Sequence, residues 1–379
     1  MNAADKPVRV LLLQKYMAPY RQPLFSAMAD SGRIDLTVLC YGTPERRRLF
    51  ENADAGTFRQ LQSASISVRA GYERNIEVPL GLPAAIARSD ADVIVCAPDW
   101  GGLAALRHCK RTGARPIVWS EATDVTEAEA SVAKRQLRRW FYRNAAAFVV
   151  PGRLSRDYLR SMGARGPYVE VRNCIDEASF RQSDDAFMAK LATPGQRIIT
   201  FSGSLVERKG VGLLLDAFAT ACALRPSAAA STVLRIVGTG PIALTSPRLP
   251  NVEFTGHLSG HDYYAKMQQS HVFVMPSLSD CNPLVVIEAL NCGAALILSD
   301  GVGNHREALR GNGRLVPRGN VEALANALAW VMTRPASDVA AMARRSRDLA
   351  TEFDTERAAD RFIDAVAQAM LSDRSGLVA

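Results

Sequence analysis

Apolar runs with polar, helix-length intervals between them set the pattern of the first half of the chain. VRVLLL at 8–13 is followed by the loop KYMAPYRQ and a helix beginning at Pro23, and IDLTVLCY at 34–41 comes after Gly32. ADVIVCAP at 91–98, RPIVWS at 115–120, AAFVVP at 146–151 and YVEV at 168–171 continue the series. Strands that are apolar on both faces and separated by helices predict a parallel sheet covered by helices on each side. A polar stretch at 176–196, containing Thr193-Pro194-Gly195, interrupts this. The pattern then restarts with RIITFSG at 197–203, an amphipathic helix at 211–221, TVLRIVG at 232–238, NVEFTG at 251–256, HVFVMPS at 271–277 and AALILSD at 294–300. From Asp338 onward the chain reads as polar helix, with Phe353, Phe362, Ile363 and Val366 at helical spacing. The expectation is two Rossmann-like α/β domains, 1–175 and 176–352, and a C-terminal helix at 353–379.

Length and composition fit that picture. The chain has 379 residues, 48% hydrophobic and 22% charged, enough for two domains that each bury a core. No apolar run approaches the roughly 18 residues that span a bilayer. MNAADKPVRVLLLQKY carries an apolar core too short for a signal peptide, so a cytoplasmic location is expected. The seven cysteines are scattered without a CxxC pair, and the five histidines do not pair at metal spacing, so no metal site is expected. The net charge of +8 is uneven: residues 1–177 hold 26 Lys and Arg against 19 Asp and Glu, and the remainder holds 20 against 19. A basic first half suits anionic partners, whereas nucleic acid is not expected because no helix-turn-helix, zinc-finger or RNP-type signature is present.

The chemistry concentrates in SLSDCNPLVVIEALNCG at 277–293. Polar turn residues lead through Pro283 into an apolar helix that stops at Gly293. Asp280 and Glu288 bracket its start. A helix N-terminus offers backbone N–H groups to a phosphate, and a carboxylate accepts two hydrogen bonds from a sugar diol; the plainer alternative is a solvent-facing Glu288 and an N-capping Asp280. SGSLVERKG at 202–210 lies between a strand and a helix. Gly203 lets backbone approach a ligand there, and Arg208 and Lys209 either place two cations where they can neutralise a diphosphate or form a solvated surface pair. Gly238-Thr239-Gly240 is an incomplete dinucleotide fingerprint, better read as a tight loop lining the same cleft, and His257 follows a strand, where it either approaches a nucleobase or is a plain surface or core histidine. In the first domain, Asp99-Trp100 and Glu121 to Asp124 each follow a strand, at the edge where open α/β sheets bind ligands. Asp90-Ala91-Asp92 has DxD spacing but precedes its strand, the wrong end for a metal–diphosphate site. KRQLRRWFYR at 134–143 is a basic helix: either it docks on anionic lipid, or Leu137, Trp140 and Phe141 pack on the sheet beneath solvated arginines. Arg46-Arg47-Arg48 adds to the same basic half.

Four motifs in order resemble glycosyltransferase family 4, retaining enzymes of the GT-B fold. YVEVRNCID is similar to the family's strand ending in Asn-Gly-Ile-Asp, and FSGSLVERKG to its Gly-Arg-Leu-x-x-x-Lys-Gly loop. LRIVGTGP is similar to Val-Gly-x-Gly-Pro, and SDCNPLVVIEALNCG to the Glu-x7-Glu motif. The departures are Ser204 for an arginine, Asp280 for the first Glu and Cys174 for a Gly. The first loop lacks the usual glycine pair, with Tyr20 and Arg21 in that space, and Glu121 stands where the family often has a histidine.

The resemblance implies two Rossmann-like domains facing a central cleft, with the C-terminal helix returning to the first. It implies a metal-independent hexosyltransferase that needs no cofactor beyond its co-substrate, a UDP- or GDP-linked sugar, and that retains the anomeric configuration. Arg208 and Lys209 would hold the diphosphate, Glu288 the ribose hydroxyls, and Asp280 the sugar hydroxyls. Asn282, Pro283 and Leu284 would present backbone to phosphate or sugar, alongside Gly203, Ser204, Gly238, Gly240 and His257. Glu121 would stand near the reacting sugar, and Tyr20, Arg21, Asp99, Trp100 and Asp124 would orient the acceptor. The expected acceptor is a saccharide or a polyprenyl-diphosphate-linked saccharide of exopolysaccharide, capsule or lipopolysaccharide synthesis, met in the cytoplasm or at the inner face of a membrane. Rivals are a two-lobed binding protein, a sugar-nucleotide epimerase on the same architecture and, least supported, a dehydrogenase.

Overall fold

A computed structural model of the chain describes residues 6–42, 57–69, 75–192, 195–244 and 251–372. It divides into two units, one of 1–122, 127–174 and 355–379, the other of 123–126 and 175–354. The basic run at 46–48 lies outside the described residues.

Among the described residues the first unit has nine strands: β1 (Val8–Gln14), β2 (Ile34–Cys40), β3 (Arg59–Gln62), β4 (Ser65–Arg69), β5 (Asn75–Pro79), β6 (Val93–Cys96), β7 (Arg115–Trp119), β8 (Ala147–Val150) and β9 (Tyr168–Glu170). Seven form a parallel sheet in the order β3-β2-β1-β6-β7-β8-β9, and β4 and β5 pair as a separate antiparallel hairpin. The continuous apolar runs became strands because both faces are covered: Leu12, Val38 and Val95 enter one core, and Leu11, Ile94 and Val118 the other. The former core also receives Phe362, Val366 and Ala369 from the helix Thr355–Leu371. Phe362 meets the Trp119 ring edge-on at 5.2 Å.

The second unit contains β10 (Arg197–Ser202), β11 (Thr232–Val237), β12 (Val252–Gly256), β13 (Val272–Met275), β14 (Ala295–Ser299) and β15 (Gly313–Val316). All are parallel, in the order β12-β11-β10-β13-β14-β15. Together the two sheets give the doubly wound, Rossmann-like α/β architecture expected from the apolar pattern.

Three expectations are corrected at the level of elements. The strands β3 and β15 and the hairpin were not foreseen: RQLQ is exposed at all four positions, and GRLV lies at a sheet edge, so neither carries a buried-strand pattern. Phe353 is not part of the C-terminal helix. It sits in a short 3-10 turn, 2% exposed, in the second unit's core with Leu349 and Ala350, so the division falls at Asp354/Thr355. At the other crossing, Ile175 packs with Phe180 and Met267 in that core, which places the division after Cys174.

The DxD-like pair lies at the N-terminal edge of the first sheet. Asp92 accepts from the backbone N–H and guanidinium of Arg9 at 3.0 and 2.7 Å, and Asp90 pairs with the same guanidinium. These carboxylates tie β1 to β6.

Candidate functional site

In the second unit the chain leaves β10 toward β11 on one side and returns to β13 on the other. A crevice opens at such a reversal, beyond the carboxyl ends of the strands. Two loops leave the sheet there. The loop after β10 runs through Gly203, Ser204 and a 3-10 turn, Glu207–Lys209, into the helix Val211–Leu224. The loop after β13 runs from Pro276 to Pro283 and enters the helix Leu284–Asn291. They touch backbone to backbone. Gly210 has a φ of 71° and lies so near that a β-carbon would be 2.3 Å from the Pro276 carbonyl oxygen, and the Leu278 N–H donates to the Arg208 carbonyl at 2.8 Å. This contact brings the Lys209 ammonium onto the Asp280 carboxylate, with side chains 12% and 13% exposed. A pair so poorly hydrated is held more firmly than a surface ion pair.

The loop carrying Asp280 is fixed on its far side by the turn after β14. The Asp280 N–H donates to the Gly301 carbonyl at 2.9 Å, and its carbonyl accepts from Gly303 at 2.8 Å. Ser299 Oγ donates to the Ser277 carbonyl at 2.5 Å, and Asn304 Nδ2 to that of Pro283 at 3.1 Å. Gly301 and Gly303 are obligatory, since β-carbons there would fall 2.2 Å from Ser277 O and 1.6 Å from Cys281 O. Buried Asn282 and Pro283 lead into the helix at Leu284.

The other wall comes from β11. Gly203 N–H donates to Val237 O at 3.0 Å and Leu205 N–H to Thr239 O at 2.9 Å, and a β-carbon on Gly240 would lie 2.3 Å from Leu205 O. The Gly238 N–H reaches Gly256 O at 2.8 Å, which places the end of β12, with exposed His257 after it, beside the same edge. Ser204 and Arg208 are exposed on their loop.

Glu288 occupies the middle of the helix Leu284–Asn291, half-buried among apolar neighbours. Its Oε2 accepts from the Tyr263 hydroxyl at 2.5 Å, and Tyr263 is 3.1 Å from Ser202 Oγ at the end of β10. Burial pushes the Glu288 carboxyl up to about 7, against the pull of that hydrogen bond, which favours the ionised form. Burial likewise pushes Tyr263 well above 10, reinforced by the neighbouring carboxylate. Among the described residues no cluster of three His, Cys, Asp or Glu side chains is placed to hold a metal ion.

In the first unit the structure brings together Arg21 and Glu121, from two of the strand-end loops. Arg21 closes a 3-10 turn, Pro19–Arg21, after β1, and its guanidinium donates to Gln14 Oε1 at 2.6 Å and to Glu121 Oε1 at 3.2 Å. It stacks 4.4 Å above the Trp119 ring and lies 5.7 Å from that of Tyr20. Glu121 also accepts from Asn173 Nδ2 at 3.1 Å. Asp99 is the N-cap of the helix Trp100–Thr112: it accepts from the Gly102 N–H at 3.0 Å and from the Tyr41 hydroxyl, and burial raises its pKa. Trp100 is 70% exposed; Asp124, which groups with the second unit, is exposed in the turn at 124–129. Of the basic helix, now Val132–Arg143, Phe141 and Tyr142 enter the core. Leu137 faces solvent, and Lys134 and Arg138 both pair with Glu127, at 3.1 and 2.9 Å.

Family models match both units: one described as glycosyl transferases group 1 over residues 196–334, and one described as a glycosyl transferase 4-like domain over residues 17–174. The chain belongs to the group 1 glycosyltransferases. No curated protein matches it significantly. Solved structures share its GT-B fold. HepE of Anabaena, in complex with UDP and glucose, has a TM-score of 0.71 at 14% identity, covering 95% of this chain and 99% of that one. Sucrose-phosphate synthase of Thermosynechococcus elongatus has a TM-score of 0.71 at 18% identity, covering 96% and 99%. A UDP-forming trehalose-phosphate synthase of Burkholderia xenovorans has a TM-score of 0.65 at 12% identity, covering 97% and 99%.

For this glycosyltransferase the motifs found the strand-end loops and missed the side chains that hold them. Tyr263, in HDYYAKM, lies 25 residues before Glu288 with no spacing signal between them. Gln14 directly follows the run at 8–13 and Asn173 lies within YVEVRNCID, but neither was assigned a role. The turn at Gly301 and Gly303 follows AALILSD directly, and two glycines after a strand were an available signal that went unused.

Proposed function

We propose that this glycosyltransferase moves a hexosyl group from a nucleoside-diphosphate sugar, UDP- or GDP-linked, with retention and without a metal. The observation that carries the reading is the Lys209–Asp280 pair at the sheet's reversal point, beside the start of the helix that bears Glu288. Lys209, with Arg208 on the same turn, stabilises charge as it builds on the departing diphosphate. The helix start offers backbone N–H groups near Leu284, and Asp280 takes sugar hydroxyls. Glu288 takes the ribose hydroxyls, with the Gly203 and Gly238 loops and His257 around the nucleotide. Glu121 with Arg21 orients the reacting sugar, and Tyr20, Asp99, Trp100 and Asp124 serve the acceptor. The bond from anomeric carbon to diphosphate oxygen breaks while the acceptor oxygen bonds to the same face. The acceptor's proton passes to the departing phosphate oxygen. No protein nucleophile is required, and positioning and electrostatics supply the rate. The UDP and glucose bound in the HepE structure support a uridine donor.

The acceptor is a saccharide or polyprenyl-diphosphate-linked saccharide of cell-surface polysaccharide synthesis, handled in the cytoplasm at an anionic membrane surface. The excess charge of the first half and the solvent-facing Leu137 on the basic helix support this. A panel of UDP-, GDP- and ADP-sugars, scored by released nucleoside diphosphate, tests the donor. Lys209→Ala and Glu288→Ala should each lower turnover at least a hundredfold, and wild-type rates in both would end the assignment. Failure to bind vesicles of anionic lipid at low salt would end the membrane part.

A further inference from the structure

Glu288 is an unusual ligand for a pair of hydroxyls, because its neighbours do not favour its charge. It lies on a helix that buries Val286, Ile287, Ala289 and Leu290 fully, with Asn291 buried at its end. The titratable groups that face it, among the described residues, are Tyr263 from the helix Gly260–Gln268 and Cys292 at the end of its own helix. The Cys292 thiol is held neutral by burial, pushed up to about 12, so it supplies no charge at working pH. Lys190 reaches the Cys292 carbonyl at 2.7 Å with its pKa lowered to about 8 by burial, and its bonds go to that carbonyl and to Ser270 O. Among the described residues, only Tyr263 donates to the carboxylate. Its hydroxyl is in turn within hydrogen-bond distance of Ser202, on the strand whose end begins the Gly203 loop.

We propose that Tyr263 is a positioning residue for donor binding: it aims Glu288 and holds it as the carboxylate that the ribose hydroxyls require. This rests on Glu288 being the ribose ligand. The geometry favours it because the ring itself is locked: Tyr263 meets Phe180 edge-on at 5.9 Å and lies 6.2 Å from the Tyr264 ring, so the hydroxyl has little freedom to leave. With Oε2 accepting from Tyr263, Oε1 is the oxygen left to accept from a ribose hydroxyl. A protonated carboxyl has lost one acceptor and gained a donor, a poor match for two hydroxyls that both donate.

Tyr263→Phe keeps the ring contacts and removes the hydroxyl. Wild-type kcat/KM for the donor should fall on the acid side with an apparent pKa near that of Glu288. In Tyr263→Phe this limb should move up by about one pH unit, which lowers kcat/KM about fivefold at pH 7 and less than twofold at pH 9. The change should appear in KM rather than kcat, and the melting temperature should match the wild type within a few degrees. A purely structural role would lower activity equally at all pH values. Superimposable limbs in the two proteins, or a loss that pH 9 does not restore, overturns the proposal. Glu288→Gln separates this from the underlying reading. If Glu288 binds the ribose, that variant binds donor weakly at every pH and has no acid limb. If it binds donor as the wild type does, the ribose assignment fails by itself. If it binds weakly but keeps the limb, the assignment stands and the Tyr263 proposal falls. Ser202→Ala should displace the limb in the same direction as Tyr263→Phe, by a smaller amount.

Discussion

Gly238 lies so close to Gly203 that it cannot carry a side chain without displacing it: a β-carbon on Gly238 would lie 2.0 Å from the Gly203 carbonyl oxygen. Gly238 also has a φ of 135°, which disfavours any other residue. Gly238→Ala should therefore cost about 2–4 kcal/mol, from strain and forced separation of the two strand-end loops. Thermal melting should show a loss of about 5–15 °C for a unit of this size. Gly212, which meets nothing within 4 Å, is the control: Gly212→Ala in the helix Val211–Leu224 should be neutral or slightly stabilising. Equal melting temperatures for both variants would contradict this.

Lys209 and Asp280 should be energetically coupled. Removing one partner leaves the other charge poorly hydrated, so Lys209→Met and Asp280→Asn should each cost about 2–3 kcal/mol in stability, and the double variant less than their sum. Urea unfolding of the four proteins gives the coupling; strict additivity would mean that the pair is not formed in solution. Donor turnover, in contrast, should be low in all three variants.

Glu288 should make the protein less stable as it ionises. Its pKa is about 4.5 in the unfolded chain and about 7 when folded, so between those values the folded state keeps a proton that the unfolded state has released. Stability falls as pH rises through this window, and the full cost, about 3 kcal/mol, is present above pH 7. Glu288→Gln should melt higher than the wild type at pH 8 and nearly with it at pH 4.5. A gap that does not change with pH would refute the raised pKa.

Arg21, Glu121 and Asn173 should behave as one polar unit. Glu121→Ala removes the acceptor for both donors and leaves a guanidinium that is 18% exposed without its carboxylate. A loss of about 2–3 kcal/mol is expected. Glu121→Gln, which retains an oxygen for Asn173, should lose about half as much. If the two substitutions cost the same, Asn173 contributes nothing to the cluster.

The sequence made the architecture readable wherever burial on both sheet faces forced long apolar runs, as in VRVLLL and AALILSD. It hid the strands with an exposed edge: nothing in RQLQ distinguishes β3 from a loop, because its backbone pairing with β2 creates the strand. In the site, loops were found through motifs whose spacing is local. Their supports were not, since Tyr263 meets Glu288 across 25 residues, Asn173 meets Glu121 across 52 and Arg21 meets Glu121 across 100. Phe353 was placed with the wrong partner because helical spacing records only that a residue is buried and says nothing of the core that receives it.

The helix Thr355–Leu371 completes the core of the first unit with residues from the far end of the chain. As the polypeptide leaves the ribosome from its N-terminus, the unit that begins first must therefore wait the longest. The second unit is complete once Asp354 has emerged, while the pocket under Leu12, Val95 and Trp119 stays open until Phe362 and Val366 arrive. With Asp354 emerged and the last helix still inside the ribosome, the nascent chain would display one finished unit and one with an uncovered apolar face, the form that a holdase chaperone would capture.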